Sequence, residues 1–153
     1  MLDTEKIKIL MDGCIQAALT RDDRIRRPYV GALVLSSSDE LISMGIKRFL
    51  EGTDELYIHA ERDAINQAGP RAKGATLITT LEPCIKNSRS MLKACSVLIA
   101  ESGIKRVIIG MQDPSPFING RGICYLRREG IQVDLYPGDK SSLQDLLQPT
   151  YHK

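Results

Sequence analysis

RVIIGMQDPSPFINGRGICYLRREGIQVDLY, residues 106–136, decides the fold. RVIIGM (106–111) is a continuous apolar run, the pattern of a strand buried on both faces. IQVDLY (131–136) reads as a second strand, and GRGICYLRREG (120–130) between them reads as a short helix. Parallel neighbours need a crossover of about a dozen residues, usually helical. The stretch from 111 to 130 is long enough for one, so the last strand is expected parallel to its predecessor. A tight hairpin would imply the opposite.

Outward from this block the alternation of strand and helix continues. GATLITTL (74–81), rich in Thr and aliphatics, reads as a strand. Glu82-Pro83 ends it, because Pro cannot donate to a ladder. HAERDAINQA (59–68) has good helix formers and stops at Gly69-Pro70. A helix is predicted over about 89–102, ending at Gly103. YVGALVLSS (29–37) and ELISMGIKR (40–48) are strand-like runs that flank Ser38-Asp39, a hairpin signal. FLEGTDELY (49–57) reads as a loop. Residues 4–20 space Ile7, Leu10, Met11, Cys14, Ala17 and Ala18 along one helix face, and residues 139–148 add a final short helix. The expectation is an α/β protein, a three-layer α/β/α sandwich around a mixed five-stranded sheet.

The length of 153 residues suits one compact domain spanning 1–153. Hydrophobic residues are 42% and charged residues 26%, a globular balance that excludes a disordered chain. No apolar run approaches the ~18 residues of a membrane span. MLDTEKIKIL at the start lacks a signal-peptide core. A net charge of +2 does not suggest an electrostatic nucleic-acid binder. With no export signal, the four cysteines are read as reduced in a cytoplasmic setting, which favours metal thiolates over disulfides.

One constellation carries chemistry: His59-Ala60-Glu61, then Pro83-Cys84, then Cys95. Hydrolytic zinc sites typically use three protein ligands and keep a fourth position open. His59, Cys84 and Cys95 fit that count as ligands for Zn²⁺. Glu61, in the first turn of the helix that His59 opens, is better used as a proton carrier. Cys84 falls at a strand end, where open α/β sheets usually put their sites. Cys95 falls well inside the helix predicted over 89–102, so the cysteines converge only if the ten residues IKNSRSMLKA (85–94) fold back.

Zinc lowers the pKa of water towards ~7. Glu61 can then move protons to the ring nitrogen of an aminopyrimidine or purine as ammonia leaves. A structural zinc site would need a fourth ligand. Cys14 and Cys124 fall on apolar helical faces as core residues and lack ligand spacing, and His152 lies in the tail.

HAERDAI followed by TLEPC resembles the cytidine and deoxycytidylate deaminase superfamily. LEPC, Arg89, Cys95 and GIKRVIIGMQDPSPFINGRGICYLRREGIQV (103–133) are similar to its riboflavin-biosynthesis deaminase domain. Met111, Asp113, Pro114, Pro116, Gly120 and Gly122 match that pattern. The resemblance implies His59, Cys84 and Cys95 as zinc ligands and Glu61 as proton shuttle. It also implies a homodimer or larger assembly. The substrate it implies is a diaminopyrimidinone carrying a ribosylamino 5′-phosphate.

The chain departs from the pattern in places that bear on substrate. Arg27 stands where the family has a sugar-holding Asn. Ten residues, not eight, separate the cysteines, and the His-rich stretch is missing. No reductase segment is expected within this length. A phosphate would meet Arg27, Lys86 or Arg89, since guanidinium matches phosphate oxygens bidentately. Arg89 keeps a family offset from Cys84. Three other readings stand beside this one. A deaminase of a cytosine nucleotide, nucleoside or another pathway intermediate would keep the same machinery. tRNA adenosine deamination calls for a basic C-terminal helix and a Cys-x-x-Cys pair, which the chain lacks. A non-enzymatic zinc scaffold has no need of Glu61.

Overall fold

The structure, a computed structural model, describes residues 2–53, 56–85, 92–116 and 119–148. Helix α1 (Thr4–Leu19) leads into strands β1 (Gly31–Leu35), β2 (Leu41–Ile46), β3 (Arg48–Phe49) and β4 (Tyr57–Ile58). Helix α2 (Ala60–Ala68) and a 3-10 turn at Gly69–Ala72 precede β5 (Thr76–Leu81). Then come α3 (Cys95–Glu101), β6 (Arg106–Met111), α4 (Arg121–Arg128), β7 (Gln132–Leu135) and α5 (Ser141–Leu147).

The main sheet has five strands in the order β2-β1-β5-β6-β7. β1 runs antiparallel to both β2 and β5. β5, β6 and β7 are parallel, with Ile78 opposite Ile108 and Ile108 opposite Asp134. The sheet is therefore mixed, and its last strand is parallel to its predecessor as the crossover length predicts. Side chains alternate across it. Ala32 and Val34 of β1 join the core under α2, α3 and α4. Leu33 and Leu35 join the core under α1 and α5. That is the three-layer sandwich, and among the described residues no helix is long and apolar enough to cross a membrane.

Three local expectations are corrected. FLEGTDELY is not wholly loop: β3 and β4 pair, Arg48 with Ile58 and Phe49 with Tyr57. Two-residue strands are too short to show an alternating pattern. The helix predicted over 89–102 starts at Cys95; residues 92–94 are not helical and 89–91 lie outside the described residues. Cys124 is exposed rather than in the core. At about 100° per residue, Gly122, Ile123 and Leu126 take the buried side of α4 and turn Cys124 outward. Cys14 is buried, as its helical spacing predicts.

Two features fix where α2 begins. Gly45 of β2 lies under the helix so closely that a Cβ would sit 2.4 Å from both the Ala60 carbonyl oxygen and the Ala64 nitrogen. The buried Asp63 carboxylate accepts from the Ile46 amide at 3.1 Å and from Arg48 Nε and Nη2 at 3.0 and 2.9 Å. At the far side of the sheet, antiparallel β1 begins beside the end of β5, and the Gly31 amide donates to Thr80 Oγ1 at 3.2 Å. The residues before β1 and those after β5 thus share one sheet edge.

Candidate metal centre and active site

His59 follows β4 with extended backbone (φ −76°, ψ 155°) and caps α2, its carbonyl accepting from the Asp63 amide at 3.0 Å. Glu61 and Asp63 put negative charge in the first turn, where the helix dipole favours it. Cys84 comes off the end of β5. Cys95 is the first residue of α3, where backbone amides lack intrahelical partners. Two of them are spent on Cys84: the Cys95 amide points at its Sγ (3.2 Å) and the Ser96 amide at its carbonyl (3.0 Å). The Arg62 guanidinium, on α2, bonds the Lys93 carbonyl and holds the approach to Cys95.

The donor atoms converge. His59 Nδ1 lies 3.6 Å from Cys84 Sγ and 3.4 Å from Cys95 Sγ. All three donor atoms fall within 4.8 Å of one another and form a group that could hold a metal ion. Tetrahedral zinc, with Zn–S about 2.3 Å and Zn–N about 2.0–2.1 Å, sets N and S about 3.5 Å apart. The spacing fits, and so does the soft donor set.

Of the three donors, Cys84 is the one held in a form ready for a cation. The Cys95 hydrogen bond holds the Cys84 thiol well below the usual thiol range. Cys95 is raised, first by that same bond and then by burial. His59 is raised, chiefly by its bond to Cys84. Beyond the donors, the Tyr57 ring stacks on the imidazole, with centroids 6.0 Å apart, and the Lys47 ammonium sits 4.6 Å from the Tyr57 centroid. Buried Lys47 also donates to the carbonyls of Arg26 (2.9 Å) and Pro28 (3.4 Å), fixing the segment before β1.

Glu61 is not one of the three donors but lies beside them, within reach of His59 and Cys95. Its carboxylate is buried and accepts from Thr79 Oγ1 at 2.8 Å. Burial raises its pKa, opposed by the charge on His59. Of the other sequence candidates, the described one, Arg27, is not gathered here. Arg27 is exposed, with its Nε on the Asp145 carbonyl at 3.0 Å and its guanidinium 4.6 Å from the Tyr29 ring centre. Lys86 and Arg89 lie outside the described residues.

Sequence reasoning missed two residues. Thr79 reads only as strand filler. Glu82 reads only as a strand terminator, yet it is buried and its carboxylate accepts four backbone amides. Oε1 takes Asp113 (3.1 Å) and Gly120 (3.0 Å); Oε2 takes Gly122 (3.0 Å) and Ile123 (3.4 Å). The usable signal was its place directly after a strand of Thr and aliphatics that is buried throughout, since a buried Glu must find partners.

Fold and donor set together are those of a zinc deaminase, and the chain belongs to the cytidine and deoxycytidylate deaminase family, whose zinc-binding region it matches over residues 4–111. It is 49% identical over 108 residues to the riboflavin biosynthesis protein RibD of Aquifex aeolicus (strain VF5), covering 71% of this chain and 28% of that protein. It is 48% identical over 108 residues to the diaminohydroxyphosphoribosylamino-pyrimidine deaminase of Buchnera aphidicola subsp. Schizaphis graminum (strain Sg), covering 71% of this chain and 68% of that protein. Among solved structures it resembles the diaminohydroxyphosphoribosylaminopyrimidine deaminase/5-amino-6-(5-phosphoribosylamino)uracil reductase of Thermotoga maritima. The TM-score is 0.76 at 33% identity, over 94% of this chain and 40% of that one.

Proposed function

We propose that this chain is a zinc-dependent hydrolytic deaminase of an aminopyrimidine nucleotide, most like the riboflavin-pathway diaminopyrimidinone that carries a ribosylamino phosphate. The observation that carries the reading is the convergence of His59 Nδ1, Cys84 Sγ and Cys95 Sγ beside the buried Glu61. The named activities of the Buchnera and Thermotoga relatives support the substrate class.

His59, Cys84 and Cys95 hold the zinc, which when bound supplies Lewis acidity and water of lowered pKa. Glu61 does the proton work. Its carboxylate takes a proton from water and passes it to the pyrimidine ring nitrogen, then takes the remaining hydroxyl proton of the added water and passes it to the departing amine, so that ammonia leaves and the carbonyl forms. A raised pKa suits a group that must both take and give near neutral pH. Thr79 fixes Oε1 and leaves the other carboxylate oxygen to the reaction.

The reading also takes residues 1–153 as one deaminase domain that forms a homodimer or larger assembly in the cytoplasm. Four free cysteines support the reducing setting. The test is ammonia release across phosphorylated and unphosphorylated diaminopyrimidines, cytosine nucleotides and adenosine-bearing RNA, with zinc content measured on the same sample. Release from the phosphorylated diaminopyrimidine by zinc-loaded protein is expected. Faster release from a cytosine nucleotide would move the substrate, and no release from any of them would overturn the deaminase reading.

A further inference from the structure

Glu82, Pro83 and Cys84 are consecutive, and each is tied to a different part of the site. Cys84 is bonded by the first two amides of α3. The Pro83 carbonyl accepts from the buried Ser96 hydroxyl at 3.2 Å. Glu82 reaches the other way, to the amides of Asp113, Gly120, Gly122 and Ile123. Contact on that side is flush: a Cβ at Gly122 would lie 2.3 Å from the Pro83 carbonyl oxygen and 3.2 Å from Ser96 Oγ.

The segment so held forms the wall of an open cleft of about 460 Å³, lined by Ile85, next to Cys84, and by Asn119, Gly120, Arg121, Cys124 and Tyr125 among others. Among the described residues His59, Glu61 and Cys95 do not line it; its links to the metal group are Ile85, which follows Cys84, and Gly122, which packs on the Pro83 carbonyl.

A carboxylate has about four acceptor positions. Glu82 fills all four with backbone donors, so it has none left to ligate a metal or receive a substrate proton. Its bonds to Gly122 and Ile123 also use up free amides of α4, so the start of that helix is not left open to a substrate anion. What remains for Glu82 is placement. It reads the backbone of a segment some thirty to forty residues away and sets it at a fixed distance from the cysteine loop.

We infer that Glu82 is a positioning residue that fixes the cleft wall at Asn119, Gly120 and Arg121 against the metal cysteine loop and thereby sets substrate affinity. The inference rests on the deaminase reading for its kinetic part only.

The test is Glu82→Gln. An amide keeps the size of the side chain but turns an NH₂ towards two N–H donors, opening one of the two pairs of bonds. Three readouts are taken on the zinc-loaded protein: zinc per chain, amide hydrogen exchange at Gly120 and Gly122, and the separate kcat and KM. Expected are unchanged zinc, exchange at one of those two amides faster by at least about tenfold, and KM raised about tenfold with kcat within about threefold. A merely structural role would lower the amount of active protein and leave KM alone. Unchanged exchange at both amides overturns the inference, and so does a fall in kcat or zinc with KM unaltered. Should Glu82→Gln fail to fold, Glu82→Asp, which keeps the charge but shortens the reach, takes its place with the same expectations. Exchange and zinc are read without substrate, so a wild type that releases no ammonia would sink the deaminase reading while leaving the placement of the wall testable.

Discussion

The Thr79 hydroxyl lies 2.8 Å from Glu61 Oε1 and 3.2 Å from the Leu81 carbonyl oxygen, with one proton to give between two acceptors. With Glu61 ionised, the proton goes to the carboxylate. With Glu61 protonated on that oxygen, the carboxyl donates to Thr79 and the hydroxyl turns to Leu81. Both protonation states of a proton carrier are therefore accommodated without moving a heavy atom.

Glu61→Gln keeps the side-chain shape and the Thr79 contact but removes the titrating group. Zinc content and fold should persist while turnover falls by about 10²–10⁴-fold, the usual contribution of a general acid–base group. Steady-state ammonia release beside zinc analysis checks this. Near-normal turnover would remove Glu61 from the mechanism.

Thr79→Val should cost less. The buried carboxylate loses one charge-assisted hydrogen bond, about 1.5 kcal/mol or roughly tenfold in turnover. A loss as large as that of Glu61→Gln would make the hydroxyl part of the proton path; no loss would mean that packing alone orients Glu61.

Thiol chemistry should separate the four cysteines. Burial pushes the Cys14 thiol up to about 12, so it should resist iodoacetamide until the protein is denatured. Exposed Cys124 should react in the native state. Cys84 and Cys95 should be protected by zinc and become reactive after chelation, Cys84 first because its thiol is held acidic. Peptide mapping reads the order. Equal labelling of Cys84 with and without chelator would argue against it as a ligand.

Gly45→Ala should disturb the site from a distance. The added methyl meets the backbone of α2 at 2.4 Å, so the helix that begins just after His59 and carries Glu61 must shift. A loss of about 1–3 kcal/mol in denaturant unfolding is expected from such overpacking, with weaker zinc retention in a chelator titration. Stability loss with unaltered zinc affinity would mean that the start of α2 is held by Asp63 alone.

Arg89→Ala should weaken the phosphorylated substrate by roughly 2–4 kcal/mol, the scale of losing a buried charge-assisted contact. The unphosphorylated form should be nearly unaffected. The motivation is the family offset of Arg89 from Cys84. Equal losses for both forms would give Arg89 a folding role.

Much of the fold was legible because its signals are local. RVIIGM shows two-sided burial by composition, and the crossover length to IQVDLY fixes direction. The His59, Cys84 and Cys95 set was legible because few residue types bind zinc. Other features were set by contacts remote in sequence. Leu92 to Ala94 contains good helix formers, but α3 waits until Cys95, whose amide has a partner in Cys84. Cys124 sits among apolar neighbours, yet only its angle relative to Ile123 and Leu126 decides that it faces out. Nothing near Glu82 announces that its partners lie around residue 120.

Cys84 and Cys95 are pinned to each other by amides of α3, and neither contact passes through residues 85–94. Chain length there is decoupled from the donor geometry. Going from the eight intervening residues of the riboflavin-type pattern to the ten found here adds only about 0.2 kcal/mol of closure entropy. Insertions in that stretch can therefore accumulate in descent at little cost to the donor geometry. The length of the stretch can drift in a lineage while the arrangement of His59, Cys84 and Cys95 is inherited intact.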